Sequence, residues 1–432
     1  MSDTYAKRRL RLTQQMGSGI AIIPNAPEMR RNGDADYPYR FDSSFYYLTG
    51  FPEPESVLVL VSGDAPQSIL FCREKDIERE IWDGYRHGPE AAREHFGFDS
   101  AHPISELDQQ LALLMENQEA VYYPMGADAG WDQRMLRLRE EVQKKTRSGV
   151  RAPDEMRDVR ALINEMRLFK DAHEIALMRR AAAISASAHR RAMQFVRAGA
   201  YEYEVEAELL HEFCRNGARH PAYTSIVAGG ANACVLHYVA NDAKLKKSDL
   251  LLIDAGCEYR GYASDITRTF PVGGKFTGAK KDVYEIVLAA QLEAIRAAMP
   301  GNSWDDPHQA ALRVLIQGFM DLRLCKGTVD SILEDGSYKK YYMHRTGHWL
   351  GMDVHDVGEY KSDEKWRSLE PGMVLTVEPG CYIRPADDVP RALWNIGIRI
   401  EDDVAITGSG HEVLTDGAPK TVRDIEELMG KP

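Results

Sequence analysis

The run Leu250-Leu251-Leu252-Ile253 ends in Asp254, a turn follows at Glu258-Tyr259-Arg260-Gly261, and the chain returns through Asp265-Ile266-Thr267-Arg268-Thr269-Phe270. An apolar run, a tight turn and an alternating return leg read as a β-hairpin. With Tyr259-Arg260 as the two loop residues, the register sets Asp254 directly opposite Asp265, with Cβ atoms roughly 4.5–5.5 Å apart. Two ionised carboxylates that close repel by about 4 kcal/mol at an effective dielectric near 20. A fold keeps such a pair only where cations lie between its members.

Five further sequence features set the frame. The length, 432 residues, is long for one core and predicts two domains. A net charge of −12 argues against a nucleic-acid backbone as partner. No apolar stretch approaches the ~18–20 residues of a membrane span. The basic start, Lys7-Arg8-Arg9-Leu10-Arg11, has no apolar segment behind it to make a secretory signal. The six cysteines contain no C-x-x-C pair and read as reduced core thiols of a cytoplasmic protein.

Residues 1–166 are predicted to form a small α/β domain. Its strand candidates are Ile20–Ile23, Phe45–Leu48, Val57–Val61 and Ile69–Cys72, with helices near 75–86 and 129–145. Residues 167–432 are predicted to be an α+β domain. Asp171-x-x-Glu174 opens a long helix by a capping pattern and the helix should stop near Gly199; a second runs from about 202 to Asn216-Gly217. The hairpin strands come next, then helices near 278–299 and 305–323, then strands at 371–379 and 394–406. Helices, hairpin, helices, strands suggests two similar halves. There is no phosphate-binding fingerprint: Gly229-Gly230 lacks the lysine context and reads as a turn.

Three more residues join the aspartates. His348 sits between Gly347 and Gly351, in a loop whose backbone should approach something closely. His344, His348 and His355 cluster too tightly for routine core use. Glu378 ends the strand-like run Met373–Val377 ahead of Pro379-Gly380, and Glu401 follows Ile396-Gly397-Ile398-Arg399-Ile400. Alternation puts Arg399 on the same face as Glu401, placed to brace it. Glu208-Leu209-Leu210-His211 is half of a helical di-iron motif, and without its other half it reads as an ordinary amphipathic helix. Asp254, Asp265, Glu378, Glu401 and His348 form an oxygen-rich set whose charge of −4 matches two divalent cations. By composition, amide and phosphoester hydrolysis both stay open.

Leu252–Gly256, Ser264–Thr269, His348–Asp356, Thr376–Gly380 and Gly397–Asp402 resemble, in order, the motif series of the pita-bread metallopeptidases, and within them the bacterial aminopeptidase P group. Tyr37-Pro38-Tyr39-Arg40, Tyr47–Phe51 and His237-Tyr238 extend the resemblance toward full length. It implies a C-terminal pita-bread catalytic domain behind a smaller N-terminal domain for access and oligomerisation. It implies an exopeptidase that releases the residue before a penultimate proline by way of a metal-bridging hydroxide, with prolidase as the alternative. Two divalent ions, Mn²⁺ first and Zn²⁺, Co²⁺ or Fe²⁺ otherwise, would be held by Asp254 on one side and by His348 and Glu378 on the other, with Asp265 and Glu401 bridging. Glu378 would shuttle a proton, His355 would hydrogen-bond the oxyanion and His237 would contact substrate. His344, Tyr382 and Arg399 would shape the proline pocket. Asp34 and Trp82 match positions that line the site in a homo-oligomer, a dimer or tetramer. Arg345-Thr346-Gly347 departs from the small residues and leucine frequent there, and puts a bulky side chain at the pocket rim. The implied partners are peptides with a Xaa-Pro N-terminus. A binding module that had lost catalysis would have lost ligands; this chain keeps all five.

Overall fold

The computed structural model describes residues 2–430. The chain divides between Met166 and Arg167 into two compact units. The first is built on a six-stranded mixed sheet in the order Ser100–Pro103, Gln67–Cys72, Val57–Val61, Ile20–Pro24, Ala120–Tyr123, Glu155–Asp158. Near-continuous apolar runs suit strands covered on both faces. Ile20, Ile22, Val57 and Val59 accordingly pack against Leu107 and Leu111 of the helix Leu107–Leu114 and Met135 and Leu138 of the helix Ala129–Gln143.

One predicted strand is a helix. Phe45–Leu48 lies inside the helix Ser43–Thr49, because Asp42 caps its start by accepting from the Phe45 N–H and Gly50 closes it at φ 65°. Capping at both ends outweighs the β-propensity of Phe-Tyr-Tyr. The charged helix is shorter than expected, Ile77–Asp83, and buries none of its residues.

The second unit repeats one order of elements. The helices Ala172–Phe195 and Glu202–Arg215 precede a sheet of Ile226–Gly229, Leu250–Asp254 and Thr267–Pro271. The helices Gly278–Ala297 and Asp306–Asp321 precede a sheet of Val374–Val377, Asp402–Ile406 and His411–Val413, with Gly380–Ile383 pairing Ile396–Arg399 beside it. Asp171 and Glu174 form the reciprocal capping box; the helix they open ends at Phe195. Pro379-Gly380 does not end strand structure, since a new strand begins at Gly380.

The hairpin register differs from expectation by two residues. Asp254 pairs with Thr267, not with Asp265. The turn residues are Arg260 and Gly261 at φ 50° and 82°, the left-handed pair that a two-residue hairpin loop demands, and they close Tyr259 against Tyr262. A slip of two leaves the alternation of faces unchanged. All six cysteines are free, and only Cys214 is exposed. No helix among the described residues is long and apolar enough to cross a membrane.

Candidate active site

A cavity of about 430 Å³ opens in the second unit, and Asp254, Asp265, His348, Glu378 and Glu401 all line it. The ends of strands deliver them. Asp254 closes Leu250–Asp254, and Asp265 enters Thr267–Pro271. Glu378 sits between Val374–Val377 and Gly380–Ile383, and Glu401 between Ile396–Arg399 and Asp402–Ile406. His348 comes from a loop laid along the strand Val374–Val377. The Thr376 N–H donates to His348 O at 3.0 Å and the Glu378 N–H to Thr346 O at 2.8 Å. A Cβ on Gly347 would lie 2.0 Å from Thr376 O, so that approach requires glycine.

Asp265, His348 and Glu401 bring ligand-type atoms within 4.8 Å of one another. His348 Nε2 lies 3.4 Å from Asp265 Oδ2 and 3.6 Å from Glu378 Oε1. Its Nδ1 is 2.9 Å from Trp349 O. A carbonyl only accepts, so Nδ1 carries a proton, and Nε2, facing the carboxylates, is the ring atom free to meet a metal once its own proton is released. The Arg399 guanidinium donates to Asp254 Oδ2 at 2.6 Å, to Tyr382 Oη at 2.9 Å and to Thr267 Oγ1 at 3.1 Å. Arg399 therefore braces Asp254. Glu401, which it was expected to brace, accepts from Thr267 Oγ1 at 2.6 Å instead.

The electrostatics follow from burial. Burial pushes Glu378 up to about 7, with His348 and Arg399 pulling it down and Asp265 and Asp254 pushing it further. Burial and the charges of Asp265, Glu378 and Asp254 hold Glu401 well above the carboxylate range. Burial also raises Asp254, against the pull of Arg399. Asp265 is lowered despite burial, by its hydrogen bond to His348. Burial lowers His348, but Asp265 and Glu378 outweigh it and hold the ring at about 9. Asp254, Glu378 and Glu401 stay raised beside Arg399 and His348, so the chain's own cations relieve their mutual repulsion only in part. The donor set thus fits hard divalent cations.

The remaining expected residues divide. His237, His344, His355 and Arg399 line the same cavity. The His355 ring stands 4.4 Å from that of His348, edge to face. His344 Nε2 lies 2.9 Å from Tyr382 Oη, and burial and Arg399 lower His344 to about 3. Tyr382 is buried behind that contact. Arg345 also lines the cavity, with its guanidinium 2.5 Å from Asp305 and over the Trp366 ring at 4.6 Å. Asp34 and Trp82 belong to the first unit, where both are exposed, Trp82 by 85%.

Sequence reasoning missed three contributors. The Tyr223 hydroxyl lies 2.6 Å from Asp254 Oδ1 and also bonds Asp265 Oδ1. Asp403 accepts from the Asp265 N–H at 3.1 Å. Thr267 links Arg399 to Glu401. Thr267 could have been found, since alternation puts it on the face of Asp265. Tyr223 carries no such signal.

Residues 176–408 match the model of metallopeptidase family M24, and residues 5–122 that of the aminopeptidase P N-terminal domain. The chain is 47% identical over 428 residues to the Xaa-Pro aminopeptidase of Escherichia coli, covering 98% of this chain and 97% of that protein. Its structure is similar to that of Pseudomonas aeruginosa aminopeptidase PepP, with TM-score 0.98, 50% identity and coverage of 99% and 98%. It is also similar to zinc-substituted E. coli aminopeptidase P in complex with product, with TM-score 0.97, 47% identity and coverage of 99% and 98%.

Proposed function

The chain belongs to metallopeptidase family M24, with the pita-bread fold, and from that premise we propose that it is a Xaa-Pro aminopeptidase, an exopeptidase that removes the first residue of a peptide whose second is proline. The observation that carries the reading is the convergence of four carboxylates and the His348 ring on one cavity. Asp254, Asp265, His348, Glu378 and Glu401 would hold two divalent cations, whose charge would balance the four carboxylates. When bound, such cations supply Lewis acidity and water ionised near neutral pH. The ions are Mn²⁺, with Zn²⁺, Co²⁺ and Fe²⁺ as substitutes.

The protein's own groups do the rest. His355 donates to the scissile carbonyl oxygen, a role its exposed position beside His348 supports. Glu378, which lines the cavity, passes a proton to the departing nitrogen. A bond to proline is a tertiary amide, and its amine leaves only when that nitrogen is protonated. His344, Tyr382 and Arg399 form one hydrogen-bonded set that shapes the proline pocket, and His237 contacts substrate. The unit of residues 1–166 carries none of these ligands. Its part is access and assembly, with Asp34 and Trp82 facing peptide in a homo-oligomer of a cytoplasmic enzyme.

A peptide panel with Mn²⁺ tests this. The expected result is release of the first residue from a Xaa-Pro-Xaa tripeptide and none from a non-proline control. Turnover confined to Xaa-Pro dipeptides would make the enzyme a prolidase, and a fully active monomer in light scattering would refute the assembly.

A further inference from the structure

Behind the cavity lies a buried charge cluster that the chemistry above does not use. The Asp356 carboxylate is 1% exposed and is gripped by two cations, Arg167 Nη2 at 2.6 Å and Lys170 Nζ at 3.0 Å. Those side chains are 3% and 1% exposed. Arg167 also reaches Asp353 at 2.8 Å. None of the four lines the cavity. Buried ion pairs are weak devices for stability, because desolvation offsets much of their attraction. What they do well is fix geometry, and here the geometry belongs to His355.

Asp356 directly follows His355. Its N–H donates to Trp349 O at 2.9 Å, the same oxygen that accepts from His348 Nδ1 at 2.9 Å. One carbonyl thus ties the base of the His355 loop to the orientation of the His348 ring. The other end of the loop is held too: the Leu350 N–H donates to Val374 O at 3.0 Å and the Ala263 N–H to Gly351 O at 2.8 Å. The carboxylate lies against the loop backbone. A Cβ on Gly351 would stand 2.0 Å from Asp356 Oδ2 and 2.8 Å from Lys170 Cε.

We infer that Asp356, clamped by Lys170 and Arg167, is a positioning residue that sets His355 against the substrate carbonyl. The inference rests on the peptidase reading above. It gives Lys170 and Arg167, which touch no substrate, a share in turnover through one imidazole.

A double-mutant cycle of Lys170→Met with His355→Ala tests it. Lys170→Met leaves Asp356 paired with Arg167, so no buried charge is stranded. A misplaced donor costs up to about 10²-fold, so Lys170→Met is expected to lower kcat by about 10- to 100-fold. KM and bound metal should stay within about twofold, as for a group that acts only in the transition state. His355→Ala is expected to lower kcat by about 10²–10³, and adding Lys170→Met to it should change little more. Gly351→Ala is a second route to the same cycle. It keeps every charge and displaces the Asp356 carboxyl group and the Lys170 side chain against it, and the same pattern is expected. Turnover of the unsubstituted protein is read first: its absence sinks the peptidase reading and this inference together. In an active protein, equal losses with and without His355, or loss of metal on Lys170→Met, overturn the inference alone and leave the cluster a structural one.

Discussion

Glu401 and Asp402 are adjacent in the chain and both are buried, yet their carboxyl groups live in opposite worlds. Asp402 has Arg268 and Lys420 each at 2.7 Å, with Gln291 at 2.8 Å and Thr415 at 2.7 Å. Burial would raise it, but the two cations outweigh burial and hold it well below the carboxylate range. Glu401 has a threonine hydroxyl at 2.6 Å and three carboxylates whose charges raise it. The chain sets two cations in contact with one acid and gives the other only the charge of Arg399, which its three carboxylate neighbours outweigh. Asp402 is a finished interaction that carries structure. Glu401 is an unfinished one, and it is finished only by charge from outside. Arg268 joins the two regions, since it also donates to Glu401 O at 2.5 Å and to Ala418 O at 2.9 Å.

The largest expected effect lies on the unfinished side. Glu401→Ala or Asp265→Ala should abolish turnover and lower bound metal, measured by elemental analysis, because each is read as touching both cations. Retention of full metal with full activity would break the comparison at its root. The next effect separates the neighbours by stability rather than by rate. Asp402→Asn strands the buried Arg268 and the half-buried Lys420 and should cost about 3–5 kcal/mol. Glu401→Gln removes an acid whose ionisation burial and three carboxylates oppose and should raise the melting temperature of chelated protein while ending activity. If both substitutions move the chelated melting temperature the same way, the two acids are not opposites.

Much of this site was legible because its residues stand at the ends of apolar strands or between glycines, where a charged side chain is conspicuous. The faces were legible too, and they survived a register slip of two because alternation has a period of two. The slip itself arose at Arg260, a non-glycine residue at φ 50°; nothing in Tyr-Arg-Gly advertises which pair turns. Partners were not legible. Alternation showed which way Arg399 points, but Asp254, its acceptor, lies 145 positions away. Phe45–Leu48 read as a strand because its aromatic residues speak for β-structure, while the decisive signals, Asp42 and Gly50, lay just outside it.

A smaller effect follows from the raised groups. Glu378 at about 7 and His348 at about 9 both stand above their ordinary values. A group raised by folding favours the folded state below its unfolded value and loses that contribution as pH climbs through the folded one. Asp265, which is lowered, makes its contribution above its unfolded value and holds it through neutral pH. Burial lowers His189, His308, His344 and His355, which act in the opposite sense below their unfolded values, so chelated protein should melt at lower temperature as pH rises from about 7 to about 9. Protein saturated with Mn²⁺ should be spared that decline, because the cations replace the lost protons. Calorimetry in buffers of different ionisation enthalpy should record protons released when Mn²⁺ binds near pH 7. A flat melting profile in chelator would mean that these charges are already compensated from within the chain, as they are at Asp402.

The finest test concerns Tyr223, which stands between the two kinds of environment. Its hydroxyl touches Asp254 and Asp265 together, but it carries one proton and can donate to one of them at a time. It is a dipole where Asp402 has full cations, so it softens the repulsion without cancelling it. Burial and both aspartates keep the phenol protonated, far above its ordinary range. Its role is then to orient the two carboxylates before metal arrives, as a hydrogen-bonded partner behind a ligand does. Removing such a partner typically costs about 10- to 100-fold in metal affinity or activity. Tyr223→Phe keeps the ring and removes only the hydroxyl. Mn²⁺ titration of the chelated and dialysed variant should show affinity weakened within that span, while kcat at saturating Mn²⁺ stays close to that of the unsubstituted protein. Unchanged affinity would mean that the aspartates are held by Arg399, His348 and the backbone alone. A loss in kcat that excess Mn²⁺ does not restore would put Tyr223 among the groups that act on substrate.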